Sequence, residues 1–234
     1  MKNLNPLISC ICITKNRVSS LKQAISCYLK QDYPTKELVI SYPKSDLSSK
    51  KYLKEILDAG VTSIILIERS DELSLGAARN NAISNCNGEF MCNWDDDDWY
   101  HPLRLSAQFK TMSSSIINFE ASVLNQVLIY DKINKNAYLS FLYPWESTLM
   151  CKVSLIIQIG YADKNIGEDS NIIDYLDATK SLCHVADAAY LYIYTYHTEN
   201  TWNRKHFESF FVRSVSLNQI TTDSIIKILE LETN

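Results

Sequence analysis

The sequence of 234 residues lacks several patterns that would place it in a common class of protein. No segment reaches the length of about eighteen consecutive apolar residues that a membrane-spanning helix requires. The N-terminal apolar run at residues 7–13 is short for a secretory signal peptide and contains Ser9. The seven cysteines include no CxxC pair, which argues against zinc, and their scattered arrangement is typical of reduced thiols in a cytosol. These absences predict a soluble cytoplasmic protein.

A surplus of basic residues is also missing. The net charge is −4 at pH 7, so the chain has no general attraction for nucleic acid. Neither a P-loop nor a GxGxxG motif occurs, and residues 14–18, which follow the first apolar run, contain no glycine. A phosphate-bearing ligand would therefore have to bind locally, and we expect a metal ion to mediate the contact.

The most informative stretch is a run of four carboxylates, Asp95, Asp96, Asp97 and Asp98, at the end of a short apolar segment. Adjacent anions repel one another, so a fold that holds them at a strand end needs positive charge nearby. Hard cations such as Mg²⁺ take oxygen ligands from one or two carboxylates and share the rest with phosphates. A solvated acidic turn is the alternative, since charge runs usually face solvent. The apolar run before the cluster and the aromatic residues after it favour a metal site.

The first half of the chain alternates between apolar runs and helical periodicity. Strands are predicted at residues 7–13, 38–40, 64–67 and 88–94. Helices separate them, and a turn is predicted at residues 41–43. Such alternation builds βαβ units of a parallel sheet, whose ligands bind beyond the carboxyl ends of the strands. We therefore expect residues 16–17, 42–46 and 95–98 to meet in one crevice.

The second half has a different character. Strands are predicted at residues 122–130 and 138–143, joined as a hairpin by a turn-rich segment, and an aromatic strand is predicted at 189–196. A helix is expected to follow Gly167, and one or two helices are expected beyond residue 203. No low-complexity linker or internal repeat separates the halves.

Six short motifs, taken together and in order, resemble those of the inverting family 2 glycosyltransferases, many of which build bacterial polysaccharides. The motifs are ITKNR at 13–17, GAARN at 76–80, the segment 88–98, PLRL at 102–105, GYAD at 160–163 and GED at 167–169. The resemblance covers residues 7–202 and implies a GT-A fold, which is a Rossmann-like α/β domain with a mixed sheet flanked by helices. It implies a glycosyltransferase domain at 1–202, divided into a nucleotide-sugar-binding half at 1–98 and an acceptor half at 99–202. A C-terminal helical extension is expected at 203–234.

The resemblance also implies a metal site that uses Mn²⁺ or Mg²⁺. The DXD motif of the family corresponds to residues 95–97, with Asp97 as a direct ligand and Asp95 as a contact to the ribose or to metal-bound water. His197 corresponds to a late histidine of the family that lies near the diphosphate or the metal, although a lone histidine is often structural. A calcium loop that begins at Asp95 is excluded, because its sixth and twelfth positions would be Tyr100 and Ser106.

The expected catalytic base is Asp169, with Glu168 as its neighbour, because the family's base is an aspartate in an acidic pair that opens a helix. An inverting displacement needs such a base to take the proton of the acceptor hydroxyl. The alternative is that both carboxylates only cap the N-terminus of the helix, where negative charge is favoured.

The nucleotide-sugar site is expected to involve residues that follow the predicted strands. The resemblance assigns it to Thr14, Asn16, Arg17, Arg79, Asp95 and Asp96. Family members commonly carry an aspartate directly after the second strand to recognise uracil, and this chain has none there. Either Asp46 reaches the base from a longer loop or Tyr42 stacks on it, so UDP is only the most common choice of nucleotide.

The acceptor is expected to be a saccharide or a lipid-linked saccharide that contacts Trp145 and Trp99. Aromatic faces suit sugar rings, although Trp145 is about as well explained as a core residue. The tail mixes basic and aromatic residues and could rest on the inner face of a membrane. Its alternative is a helix that packs Phe207, Phe210 and Phe211 into the core.

The sequence thus predicts a metal-dependent inverting glycosyltransferase that uses a nucleotide diphosphate sugar. Two other functions remain open, namely a sugar-phosphate nucleotidyltransferase and a non-catalytic nucleotide- or sugar-binding module of the same fold. A nucleotidyltransferase would be expected to have a glycine-rich phosphate loop near the N-terminus, and residues 14–18 contain no glycine.

Overall fold

The computed structural model describes residues 5–233 of the chain. The strands are β1 (Ile8–Ile13), β2 (Lys36–Pro43), β3 (Ile64–Arg69), β4 (Phe90–Asn93), β5 (Trp99–Tyr100), β6 (Ala121–Leu124), β7 (Leu128–Asp131), β8 (Asn136–Leu139), β9 (Met150–Lys152), β10 (Leu182–Val185), β11 (Tyr192–Tyr196) and β12 (Val215–Ser216). The helices are α1 (Val18–Leu29), α2 (Leu47–Asp58), α3 (Leu75–Ser84), α4 (Arg104–Ser113), α5 (Val153–Ile159), α6 (Ser170–Ala178), α7 (Arg204–Arg213) and α8 (Gln219–Thr233).

The larger sheet has seven strands in the order β10-β6-β9-β4-β1-β2-β3. Strands β4, β1, β2 and β3 are parallel, as the alternation of strands and helices predicts, whereas β9 is antiparallel to both of its neighbours. Cys10 and Cys12 of β1 lie in one hydrophobic core, and Ile11 lies in another. Helices therefore cover both faces of the sheet, since successive side chains of a strand point to opposite sides. The predicted mixed α/β sheet flanked by helices is confirmed.

Two details of the strand prediction are wrong. Residues 41–43 are not a turn, because β2 continues through Pro43 and pairs with β3 up to Arg69. Pro43 is tolerated because it is the last residue of the strand, where a missing N–H disturbs the ladder least. The strand predicted at 122–130 is two strands, since the chain leaves the larger sheet after Leu124 and enters a second sheet at Leu128.

The second sheet has five strands in the order β12-β8-β7-β11-β5. The predicted hairpin is confirmed, as β7 and β8 pair antiparallel. The aromatic strand is confirmed as β11, preceded by the short 3₁₀ helix Ala189–Leu191. This sheet stands beside the acidic run, because β5 begins directly after Asp98 and pairs with β11.

The C-terminal residues are helical, as predicted, and they pack on the rest of the chain. Phe207 of α7 is fully buried, and Ile225 of α8 belongs to the same core as α1. Strand β12 pairs with β8 and extends the second sheet. Phe210 and Phe211 pack against that core, as the alternative to membrane contact requires. Among residues 5–233, no helix combines the length and the apolar character needed to cross a membrane.

Candidate active site

A cavity of about 380 Å³ opens beyond the carboxyl ends of β1 and β4. Within the described residues, seven carboxylates and three guanidinium groups line it, together with an aromatic wall. The charged groups belong to Asp95, Asp96, Asp97, Asp98, Glu146, Glu168, Asp169, Arg17, Arg79 and Arg213. The aromatic wall consists of Phe141, Tyr143, Trp145, Tyr194, Trp202 and Phe210. The cavity thus offers a strongly acidic floor beside surfaces that suit sugar rings.

Asp98 is the structural member of the acidic run. Its buried carboxylate accepts hydrogen bonds from the Tyr192 hydroxyl and from the backbone N–H of Thr195, the latter at 2.8 Å. Burial, followed by the charge of Asp97, raises the pKa of Asp98 well above its ordinary value. Asp98 therefore anchors the turn between β4 and β5 to β11.

Asp97 lies at the centre of a cluster of donors. Its Oδ2 atom is 2.7 Å from Arg17 Nη1, 3.1 Å from His197 Nε2 and 3.4 Å from Asn200 Nδ2. Burial would raise the pKa of Asp97, but the hydrogen bond from His197 and the charge of Arg17 outweigh it and hold the pKa below its ordinary value. Asp97 is thus kept as a carboxylate, and the structure brings it together with His197.

Asp96 is fully buried beneath this cluster and forms an ion pair with Arg17, at 2.6 Å between Oδ1 and Nη2. Burial and the neighbouring charge of Asp97 raise the pKa of Asp96 to about 7. The single guanidinium of Arg17 therefore serves two carboxylates, which leaves this part of the cavity short of positive charge.

Arg79 joins the acidic run to the predicted catalytic pair. Its Nη2 atom lies 2.9 Å from Asp95 Oδ1, and its Nη1 atom lies 3.6 Å from Glu168 Oε1. Burial would lower the pKa of Arg79, but the charge of Asp95 and the other nearby anions raise it, so the guanidinium stays protonated. One buried cation thereby fixes the distance between two motifs that are far apart in the chain.

The other residues of the GAARN motif hold the loop that carries Glu168 and Asp169. Asn80 donates to the carbonyl of Tyr161 at 2.8 Å and accepts from its N–H at 2.9 Å. A Cβ atom on Gly76 would lie 1.9 Å from the carbonyl oxygen of Ala162, so only glycine permits this approach of α3 to the loop.

Asp169 occupies the N-cap position of α6, but its side chain makes no capping hydrogen bond. The carboxylate is half-buried and lines the cavity, and no group in the described part of the chain donates to it. Gly167, with φ of 65°, supplies the left-handed turn that precedes the acidic pair. The geometry therefore differs from that of a capping carboxylate.

Glu146 is a cavity residue that the sequence did not single out. Burial and the charge of Asp169 raise the pKa of Glu146 to about 7. The Tyr143 hydroxyl, at 3.4 Å from Oε1, is the one hydrogen-bond donor that its carboxylate has among residues 5–233. The sequence could have indicated Glu146, because it directly follows Trp145 in a segment predicted to contact the acceptor.

A divalent cation fits the donor set at Asp97. The acidic floor has more carboxylates than cations, and His197 offers a nitrogen ligand beside a carboxylate oxygen. No cluster of three or more histidine, cysteine, aspartate or glutamate side chains suited to a metal occurs within residues 5–233. The chain would thus supply one or two ligands and leave the others to a phosphate ligand, a division typical of Mg²⁺ sites.

Only some of the residues predicted to contact the nucleotide line the cavity. Asn16, with φ of 55°, donates its N–H to Asp46 Oδ2 at 2.6 Å, and Asp46 Oδ1 accepts from Ser49 at the start of α2. Asp46 is almost fully buried, and both of its oxygens accept hydrogen bonds from the backbone. Thr14, directly after β1, is buried, and Tyr42 is buried in β2; neither lines the cavity.

The two tryptophans predicted to meet the acceptor have different surroundings. Trp145 is 3% exposed, belongs to the core and also lines the cavity. Trp99 is also buried, in β5, but does not line the cavity. Trp145 is thus a core residue that also faces the cavity, and its contact with the acceptor stays a prediction.

Three further residues of the cavity lining were not predicted as site residues, because they come from distant segments of the chain. Phe141 follows β8, whereas Phe210 and Arg213 belong to α7. Phe141 and Phe210 have ring centres 5.9 Å apart, and Arg213 lies over the Phe141 ring at 3.6 Å. The spacing of Phe207, Phe210 and Phe211 indicated a packed helix, but nothing in the sequence indicated what the helix packs on.

With this geometry in place, comparison with known proteins gives the family. The model of the family described as "Glycosyl transferase family 2" matches residues 9–152, more than half of the chain. The chain belongs to glycosyl transferase family 2. The match begins in β1 and ends in β9, so it includes the acidic run and Arg79. The resemblance carried by the six motifs is therefore confirmed.

A curated relative in this family is WcaA of Escherichia coli (strain K12), whose name assigns it to glycosyl transfer in colanic acid biosynthesis. The two sequences are 36% identical over 113 residues, which is 45% of this chain and 37% of WcaA. The chain thus matches little more than a third of the length of that relative.

Solved structures of GT-A glycosyltransferases share their fold with this chain. TarS of S. aureus (residues 1–349), in complex with UDP-GlcNAc, has a TM-score of 0.61 and 15% identity over 83% of this chain and 60% of TarS. The mannosyltransferase PcManGT of Pyrobaculum calidifontis, in complex with GDP-Man and Mn²⁺, has a TM-score of 0.65 and 14% identity over 88% of this chain and 60% of PcManGT. Glucosyl-3-phosphoglycerate synthase of Mycobacterium tuberculosis, in complex with Mn²⁺, UDP and glucosyl-3-phosphoglycerate, has a TM-score of 0.59 and 13% identity over 87% of this chain and 75% of the synthase.

Proposed function

We propose that this chain transfers a sugar from a nucleotide diphosphate sugar to a saccharide or lipid-linked saccharide, with inversion at the anomeric carbon and with a divalent metal. The observation that carries the proposal is the single cavity that contains both the acidic run and an uncapped Asp169. Arg79 holds the two carboxylate groups in a fixed relation. Membership of family 2 supports the reaction class.

Asp169 acts as the general base. In the displacement, the acceptor hydroxyl oxygen forms a bond to the anomeric carbon while the bond from that carbon to the diphosphate oxygen breaks. Asp169 takes the hydroxyl proton, and the nucleoside diphosphate leaves with the bonding electrons. Glu168 forms an ion pair with Arg79 and so acts on the position of the loop rather than on the acceptor.

Asp97 and His197 would hold the metal, Mn²⁺ or Mg²⁺, with Asp95 near enough in sequence to contact its water or the ribose. A bound cation stabilises the negative charge that the diphosphate gains as it leaves. The pairing of two carboxylates, Asp96 and Asp97, with the single guanidinium of Arg17, and the Mn²⁺ present with two of the related proteins, support this assignment.

UDP is the proposed nucleotide, because two of the three related structures described above contain UDP or a UDP-sugar. PcManGT contains GDP-Man, so the family fold alone does not select the base. Both oxygens of Asp46 accept backbone hydrogen bonds, and a uracil would therefore use one of the lone pairs that remain on its carboxylate. Arg17, Asn16 and the acidic run form the rest of the proposed donor site.

The acceptor is proposed to lie along the aromatic wall, with Trp145 against a sugar ring. A lipid-linked acceptor would bring the chain to the inner face of a membrane, where apolar side chains at the junction of α7 and α8 are exposed. Val212, Val215 and Ile220 have 87%, 66% and 81% of their surface exposed. Sedimentation with liposomes tests this contact, and a chain that stays in the supernatant would exclude it.

Thermal unfolding tests the donor site. A ligand present at about one hundred times its dissociation constant adds about 2.7 kcal/mol of stability. UDP is expected to raise Tm only together with Mn²⁺ or Mg²⁺, and Asp97→Asn is expected to abolish the rise. No rise with UDP, GDP, dTDP or CDP in the presence of metal would contradict the proposal.

Activity assays test the base. Asp169→Asn is expected to abolish sugar transfer while the Tm shift with nucleotide and metal survives. Asp174→Asn, an exposed aspartate on the same helix, is the matched control and is expected to keep full turnover. Unchanged turnover in Asp169→Asn would refute the assignment, and nucleotide binding without any transfer by the wild type would favour a non-catalytic binding module.

A further inference from the structure

We propose that Arg213 and Phe141 form a subsite for an anionic group, a carboxylate or a phosphate, on the acceptor saccharide. The inference rests on the proposed glycosyl transfer and narrows the class of acceptor that the cavity takes. Arg213 ends α7, and its guanidinium carbon lies 3.6 Å from the centre of the Phe141 ring, at the cavity lining.

The position of Arg213 is set by the aromatic wall. Phe210, one turn earlier on α7, packs against Trp145 with ring centres 5.2 Å apart and against Phe141 at 5.9 Å. These contacts orient α7 so that Arg213 reaches the Phe141 ring. A guanidinium stacked on a ring keeps its in-plane N–H groups available, and these match the two oxygens of an anion.

Arg213 differs from the other two cavity cations in having no acidic partner. Arg17 is paired with Asp96 and Asp97, and Arg79 is paired with Asp95 and Glu168. Within residues 5–233, no carboxylate forms an ion pair with Arg213. Arg204, at the other end of α7, is paired with Glu208 at 2.7 Å. The chain therefore leaves one guanidinium of the cavity unneutralised.

The negative charge of the cavity explains which ligands Arg213 would select. Seven carboxylates of the described residues line the cavity, and they repel an anionic ligand from most of its surface. Arg213 offers a place where an anion is attracted, beside rings on which the sugar can lie. An acidic saccharide would then bind in one orientation, with its charge at Arg213 and a neutral hydroxyl left for Asp169.

The test compares three sugar probes: methyl β-glucoside, methyl β-glucuronide and glucose 1-phosphate. Isothermal titration is carried out with the protein in Mg²⁺, first saturated with UDP and then without nucleotide. Wild type is expected to bind at least one of the anionic sugars about tenfold more tightly than the neutral glucoside, which corresponds to about 1.4 kcal/mol. A preference for the glucuronide indicates a carboxylate acceptor, and a preference for glucose 1-phosphate indicates a phosphate.

Two variants complete the test. Arg213→Gln is expected to bind neutral and anionic sugars equally and to keep its Tm, because the side chain is exposed. Arg204→Gln, on the same helix but outside the cavity lining, is expected to keep the preference. Equal binding by wild type, no binding of any probe, or a preference that survives in Arg213→Gln would overturn the inference. Failure of UDP to bind would instead count against the proposed function, since the preference is also measured without nucleotide.

Discussion

Substitution of Gly76 by alanine should move the proposed base, Asp169, relative to the acidic run. The added Cβ would lie 1.9 Å from the carbonyl oxygen of Ala162 and 3.1 Å from Glu168 Cβ, and the first distance is about 1.5 Å short of ordinary contact. Both atoms are held in place. The oxygen of Ala162 belongs to the backbone, and the side chain of Glu168 forms an ion pair with Arg79. We expect an overpacking cost of about 1–3 kcal/mol.

The activity loss should exceed what the stability loss explains. Helix α3 carries Arg79, and the loop it would push away carries Asp169, so the strain is relieved by moving the proposed base relative to the acidic run. A misplacement of about 1 Å at a reacting group can reduce the rate about a hundredfold. We therefore expect kcat of Gly76→Ala, measured at a temperature below the Tm of the variant, to be about a hundredfold lower than kcat of the wild type.

Urea unfolding and steady-state transfer assays measure the two effects separately. Gly60→Ala is the matched control, because Gly60 has φ of 90° after α2, has no atom within 4 Å of its Cβ position and lies outside the cavity lining. It should lose about 1 kcal/mol through backbone strain and keep its kcat. A Gly76→Ala variant with unchanged stability and with kcat within twofold of wild type would refute the assigned role of the close approach.

Two further predictions concern Asp98 and Glu146. Tyr192→Phe removes the hydroxyl that donates to buried Asp98 and should cost about 1–3 kcal/mol in urea unfolding, whereas Tyr190→Phe, at a half-exposed ring nearby, should cost almost nothing. The pKa of Glu146 is raised to about 7 in the folded chain, above its ordinary 4.5, so the proton it binds adds stability at low pH that is lost as the pH rises toward 7. Glu146→Gln should therefore flatten the decline of stability between these pH values and add about 1 kcal/mol at pH 8, after allowance for partial exposure. An unaltered pH profile would contradict the second prediction.

The fold was predictable where buried strands and amphipathic helices alternate. Strands β1 to β4 are mostly apolar because the sheet is covered on both faces. The errors in the strand prediction occur where the local sequence is compatible with two different structures. Pro43 suggests a turn but also fits the last residue of a strand. Residues 122–130 are apolar apart from Ser122, Asn125 and Gln126, and the chain changes sheets after Leu124.

Most of the acidic side of the candidate site was predictable, whereas Trp145 alone was predicted as a contact among the six residues of the aromatic wall. Asp97, Arg79 and Asp169 belong to motifs whose order carries information. Arg213 and Phe141 are more than seventy residues apart in the chain and acquire their relation only when α7 packs on the second sheet. No periodicity within either segment encodes that contact.

The anchoring of Asp98 to β11 has a consequence for the order in which a growing chain acquires its site. Strand β4 and the acidic run leave the ribosome long before Tyr192 and Thr195, the residues that hold Asp98. A nascent chain can thus assemble the parallel strands β1 to β4, with Arg17 and Arg79 available to pair with Asp95, Asp96 and Asp97, while Asp98 still lacks the groups that hold it. The turn that carries the acidic run is therefore anchored to the second sheet only after β11 has been synthesised.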